Sequence, residues 1–176
     1  MTHTAQYLLE VQEIARTLPE AQIESLVAEL KALRDRGGRL FLIGLGGSAA
    51  NCFHAVNDFR RLCGIDAYTP VDNVAELTAT ANDEGWKYLF DGLKFTPEDA
   101  VMVLSVGGGT LKVSVPISYL MAKAAGTCRI LGIVGRDGGE TKKVGHQIVI
   151  IPTVSPERVT PHTEAFQLVI LHCLVS

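Results

Sequence analysis

The chain has 176 residues, a formal net charge of −3 and a hydrophobic fraction of 47%. That length suits one domain with a real core, and the composition excludes a disordered tract. The small charge, with no run of Lys or Arg, excludes a nucleic-acid footprint, and no apolar stretch reaches the roughly 20 residues of a membrane span.

In chain order, Met1–Glu10 lacks a basic region followed by an apolar run, so no export signal is visible. Apolar residues then recur at three- and four-residue spacing, at Leu8, Val11, Ile14, Ala15 and Leu18 and again at Ile23, Leu26, Val27, Leu30 and Leu33. This predicts two helices, with Pro19 in the first turn of the second and Gly37-Gly38 ending it. Their apolar stripe packs either on the chain's own sheet or on another subunit. Leu40–Gly44 reads as a buried parallel strand, Ser48–Cys63 as a helix and Ala67–Val71 as a weak strand. Asn73–Ala81 and Gly85–Leu93 read as helices around the polar turn Asn82-Asp83-Glu84. Val101–Val106 is the next strand. Thr110–Ala125 is a helix that Pro116 kinks or delays. Ile130–Val134 and Ile148–Ile151 are strands, and a last helix starts near Thr160-Pro161, with Thr as cap and Pro in the first position. It runs to Leu174-Val175-Ser176, an end at which the natural chain would continue. The alternation predicts an α/β three-layer sandwich over a parallel sheet. Residues 1–176 form a single domain: a helical segment, 1–37, suited to an oligomer interface, and an α/β core, 38–176. Ligands in such folds sit beyond the carboxyl ends of the strands.

Three strand ends run into glycine-rich loops: Gly44-Leu45-Gly46-Gly47-Ser48, Ser105-Val106-Gly107-Gly108-Gly109-Thr110 and Gly135-Arg136-Asp137-Gly138-Gly139. Glycine lets backbone amides approach an anion, and the helix start behind each loop adds a favourable dipole. The first two loops each carry a hydroxyl, Ser48 and Thr110, and predict an anion site. The third reads as a structural turn. The first loop departs from dinucleotide-binding spacing, and neither Asp66 nor Asp72 stands out as a ribose ligand. Cys52, Cys63, Cys128 and Cys173 are widely spaced with no CxxC pair, which suits reduced thiols in the cytoplasm.

Two polar pairs complete the inventory. His54 and Asp58 are four apart on one helix, and Glu164 and His172 are eight apart on the last, so each pair shares a face. Each pair alone would be an ordinary surface pair. His3 and His146 have no partner pattern, and Trp86 reads as packing.

Taken together, these residues resemble a family. Gly44–Ala50 with His54 and Asp58, Leu77–Gly85, Ser105–Thr110, Ile133–Gly139 and Thr160–Leu174 resemble, in order, the motifs of bacterial sedoheptulose 7-phosphate (phosphoheptose) isomerases, which have the sugar-isomerase (SIS) fold. The resemblance implies a five-stranded parallel sheet, a homotetramer with sites at subunit interfaces and an aldose–ketose isomerisation of a phosphorylated sugar. By it, Asp58 is the catalytic carboxylate and His172 its partner. His54, Asp58, Glu164 and His172 would hold a divalent metal, zinc first among Zn²⁺, Fe²⁺, Mn²⁺ and Ni²⁺. Gly46, Gly47, Ser48, Ser105, Gly107, Gly108 and Thr110 would hold phosphate, with Asn82, Asp83 and Glu164 on the sugar. His162 and Gln167 would support the site from behind.

Departures accompany the likeness. Leu45 replaces an Asn, and where the family reads STSGNS this chain has Val106, Gly107, Gly109 and Thr110 in place of Thr, Ser, Asn and Ser. Asp58 is one methylene shorter than the family's Glu, and Glu164 stands where the family has Gln, so the base is either carboxylate. The alternatives are an isomerase of another phosphosugar on the same fold, and a non-catalytic tetramer that binds a sugar phosphate or a protein.

Overall fold

The computed structural model describes residues 1–176. Helices α1 (His3–Thr17) and α2 (Glu20–Asp35) precede an alternation of β1 (Arg39–Ile43), α3 (Gly47–Arg61), β2 (Asp66–Tyr68), α4 (Val74–Asp83), β3 (Ala100–Ser105), α5 (Val115–Ala124), β4 (Arg129–Val134), α6 (Gly139–Val144), β5 (Gln147–Ile150) and α7 (Val159–Val175). The five strands form one sheet in the order β2-β1-β3-β4-β5, with every pairing parallel. The order reverses between β1 and β3, so the loops after those strands diverge and leave the crevice in which such sheets bind ligands.

Alternate strand residues feed two cores. Leu40, Leu42, Met102, Leu104, Leu131 and Val149 face α2, α3 and α7. Phe41, Ile43, Val101, Val103 and Ile130 face α5 and the segment around Leu89 and Phe90. The three-layer sandwich follows from this period-two division, because both faces of a parallel sheet must be covered.

Several elements differ from their sequence reading. The second N-terminal helix packs on the chain's own sheet, burying Ile23, Leu26, Leu30 and Leu33, whereas the first buries only Glu10 and Ile14 and leaves Leu8 and Leu9 exposed. Asn82 and Asp83 belong to α4 rather than to a turn after it. Gly85–Leu93 is one 3-10 turn, Trp86–Tyr88, followed by hydrogen-bonded turns. Helix α5 starts at Val115 with Pro116 in its first turn, the delayed start that was one of the two expectations for that proline. Helix α7 starts at Val159, ahead of Thr160, and takes no side-chain cap.

Candidate active site

Helix α3 begins on a glycine turn, with Gly46 in the left-handed region (φ 61°), and lies alongside α7. Asn51 fastens the two helices: its Nδ2 donates to the Glu164 carbonyl at 2.8 Å and to Gln167 Oε1 at 3.2 Å. Gln167 is fully buried, and its amide donates to the Ile133 carbonyl of β4 at 3.4 Å. The face of α3 that carries Asn51, His54 and Asp58 is therefore fixed against α7.

His54 Nε2 and His172 Nε2 stand 2.9 Å apart, and His54 Nε2 lies 3.1 Å from Asp58 Oδ2. One ligand atom from each of the three residues falls within 4.8 Å of the others. Two bare nitrogen lone pairs cannot face each other at 2.9 Å, so either one ring carries a proton there or a cation takes its place. Donors at zinc–ligand lengths stand about 3.3 Å apart around a tetrahedral ion, close to the spacing found here. Two imidazoles and a carboxylate with an open outer side also suit a metal that keeps a position for substrate. The residues fit a divalent cation.

Glu164 does not join this set. Eight residues of helix rise about 12 Å, so sharing a face with His172 does not bring the side chains together. Its carboxylate lies instead over Gly47, at the start of α3, where a Cβ would come within 2.5 Å of Glu164 Cδ and Oε2. It accepts no side-chain hydrogen bond there and is half-buried.

The other predicted binding residues divide. Ser48 is buried in the first turn of α3. Ser105 Oγ accepts the Gly108 amide at 3.0 Å, which satisfies that amide. Thr110 Oγ1 accepts the Lys112 and Val113 amides at 3.2 and 2.8 Å and donates to the Val113 carbonyl at 3.2 Å. The Gly108 and Gly109 carbonyls accept the Thr141 and Glu140 amides, each at 2.9 Å, which seats the second glycine loop on the start of α6. Gly107 alone of its glycines faces an open cleft. Asn82 and Asp83 are exposed at the end of α4, with a side-chain hydrogen bond only to each other, at 2.7 Å.

His162 belongs to a separate buried network. Its Nε2 lies 2.8 Å from Glu10 Oε2, which also accepts Arg158 Nε at 2.8 Å, and its ring stacks on Tyr7 at 4.5 Å. Hydrogen bonds from Arg158, His162 and Gln6 hold the Glu10 carboxyl well below the usual range. This network anchors α1 to α7.

Sequence reasoning passed over two residues. Asn51 carried a signal in its position, one turn before His54 on the same face. Arg136 lay in the loop read as a structural turn, yet it stands at the end of β4. There it lines a cleft of about 310 Å³ with Gly107, Thr110, Ser114 and Thr160.

No protein-family profile matches the chain. Its sequence is similar to the phosphoheptose isomerase of Trichlorobacter lovleyi, at 30% identity over 176 residues, covering 95% of this chain and 84% of that protein. It is also similar to the phosphoheptose isomerase of Geobacter sulfurreducens, at 32% identity over 154 residues, covering 82% and 78%. Among solved structures, a phosphoheptose isomerase from Francisella tularensis shares the fold with a TM-score of 0.82, covering 99% of this chain and 97% of that one at 19% identity.

Proposed function

The chain belongs to the phosphoheptose isomerase family and is an aldose–ketose isomerase of phosphosugars, and from that premise we propose that it interconverts sedoheptulose 7-phosphate and an aldose heptose 7-phosphate through an enediol. The observation that carries this reading is the convergence of His54, Asp58 and His172 from two helices onto one point.

The reaction moves one proton between two carbons. A carboxylate base takes a proton from C1 of the ketose while the C2 carbonyl oxygen is protonated, giving the enediol. A proton is then delivered to C2 as the C1 hydroxyl gives up its own, leaving the aldehyde. Asp58 is the base, and His172, when it carries the ring proton at that point, is the acid that serves the oxygens. A divalent cation held by His54, Asp58 and His172, zinc by donor type, would polarise the carbonyl when bound. Asp58→Asn and His172→Gln are expected to lower turnover by about 100-fold or more with the fold intact by circular dichroism. Full turnover in both would remove the cluster from the chemistry.

One feature favours Glu164 as the base instead. Thr160, at the strand-end cleft, lies about 6 Å of helix rise from Glu164 but about 18 Å from His172. A seven-carbon sugar anchored at the cleft reaches the nearer carboxylate more readily. Turnover lost in Glu164→Gln and kept in Asp58→Asn would decide for it.

The assembly we propose is a homotetramer. Leu8, Leu9, Phe53, Leu62 and Val169 lie exposed on or beside α1, α3 and α7 and would supply its contacts. The cytoplasm is the proposed compartment, in keeping with four free thiols. No helix is long and apolar enough to cross a membrane.

A further inference from the structure

The cleft at the ends of β3 and β4 is lined by Val106, Gly107, Thr110, Ser114, Arg136 and Thr160, among others. Arg136 is its only cation. Asp137 also lines the cleft, but it makes no ion pair with Arg136 and its Oδ1 accepts the Gly139 amide at 3.2 Å, while Glu140 pairs with Lys143 at 2.7 Å. The Arg136 guanidinium is left exposed and without an ion pair. The Thr110 hydroxyl, at the same end of the sheet, donates its proton to the Val113 carbonyl, and Ser105 Oγ is buried and accepts the Gly108 amide.

The backbone gives an independent sign. Only two non-glycine residues have positive φ, Ser114 at 54° and Arg136 at 53°, and both line this cleft. Residues with a Cβ adopt that region rarely, and strained positions cluster where a ligand is gripped. The stem of Arg136 also lies across Gly107, where a Cβ would sit 4.0 Å from Arg136 Cδ. The small residue keeps that side of the cleft open, and the Gly107 amide has no backbone acceptor.

We infer that Arg136 binds the phosphate of the substrate, with the Gly107 amide beside it, and so determines specificity for phosphorylated over free sugars. A guanidinium offers a planar fork that matches two phosphate oxygens, which compensates for hydroxyls that the loop after β3 does not present. The inference rests on the reading of the substrate as a phosphosugar and deepens it. Arg136 acts on the non-reacting end of the sugar and does not move the proton.

The test is binding of inorganic phosphate, followed by phosphorus NMR or calorimetry, to the full chain and to Arg136→Gln and Arg136→Lys. Lys31→Gln, on α2, serves as the control for lost charge. Arg136→Gln is expected to weaken phosphate binding about tenfold, with Arg136→Lys recovering part of the loss and Lys31→Gln unchanged. In turnover, Arg136→Gln should raise KM by a similar factor with kcat within about threefold. Phosphate affinity in Arg136→Gln equal to that of the unmodified chain, or a collapse of kcat with KM unchanged, overturns the assignment. Because phosphate binding is read without turnover, a chain inactive on sedoheptulose 7-phosphate would count against the proposed substrate and leave this test standing.

Discussion

Gly47 is the residue on which the second carboxylate depends. Its missing Cβ is the space into which the Glu164 carboxylate is folded. Alanine there meets only the far end of a flexible side chain, so the helix tolerates it and the carboxylate is displaced. Gly47→Ala is expected to shift stability by no more than about 1 kcal/mol. If Glu164 takes part in proton transfer, turnover falls about tenfold or more; thermal melting beside steady-state kinetics reads both. At this scale the sequence was partly legible. His54 and Asp58 stood out because helical spacing and family motifs agreed, and His172 because of the motif alone; the three converge in the structure. Glu164 was misplaced because a shared helix face says nothing of the rise between two positions. Arg136 was missed because a loop flanked by glycines looks like a turn whatever chemistry it carries.

At the scale of elements, the core strands and long helices were legible from apolar spacing, and the exceptions have local causes. Trp86, Leu89, Phe90 and Leu93 repeat at helical spacing, but Gly85 at φ 104° and Gly92 flank a segment in which only Leu89 and Phe90 are buried. Helix α6, with the sequence GETKKV, is too short and polar to show a period, and the Gly108 and Gly109 carbonyls that receive its first amides come from another loop. Two ion networks tie elements together. Asp99, just before β3, is nearly fully buried, which raises its carboxyl. Hydrogen bonds from Arg39 on β1 and from Thr96 outweigh that and bring it down to about 2. Glu10 is likewise depressed, by Arg158 first. Groups whose folded pKa is lowered stabilise the protein above their unfolded values and lose that contribution as pH falls toward the folded ones. The urea midpoint is therefore expected to hold from pH 7 to about 5 and to drop steeply between about 4 and 2. A midpoint flat to pH 3 would contradict this. Asp99→Asn should lower stability at pH 7 by about 2 kcal/mol.

For the whole molecule, the β–α alternation was enough to imply a parallel sheet covered on both faces; the strand order reverses between β1 and β3, whereas the cleft that Arg136 lines is one strand over, at the ends of β3 and β4. What a single chain holds is a set of parts at different levels of α7: the cleft at its start, Glu164 one turn on and His172 near its end. Asn82 and Asp83 neither line the cleft nor join the His54 cluster. Phe53 and Val169, exposed apolar side chains close in sequence to His54 and His172, are among those the proposed tetramer would bury. Light scattering at micromolar concentration is expected to give the mass of four chains, and a monomer would contradict the assembly. The most direct measurement of the central claim is a proton NMR time course of the purified chain with sedoheptulose 7-phosphate, supplied with zinc. Aldose anomeric signals are expected to grow at the expense of the ketose, and not to grow with His172→Gln. A spectrum unchanged at high enzyme concentration, from a folded chain that binds inorganic phosphate, would contradict it.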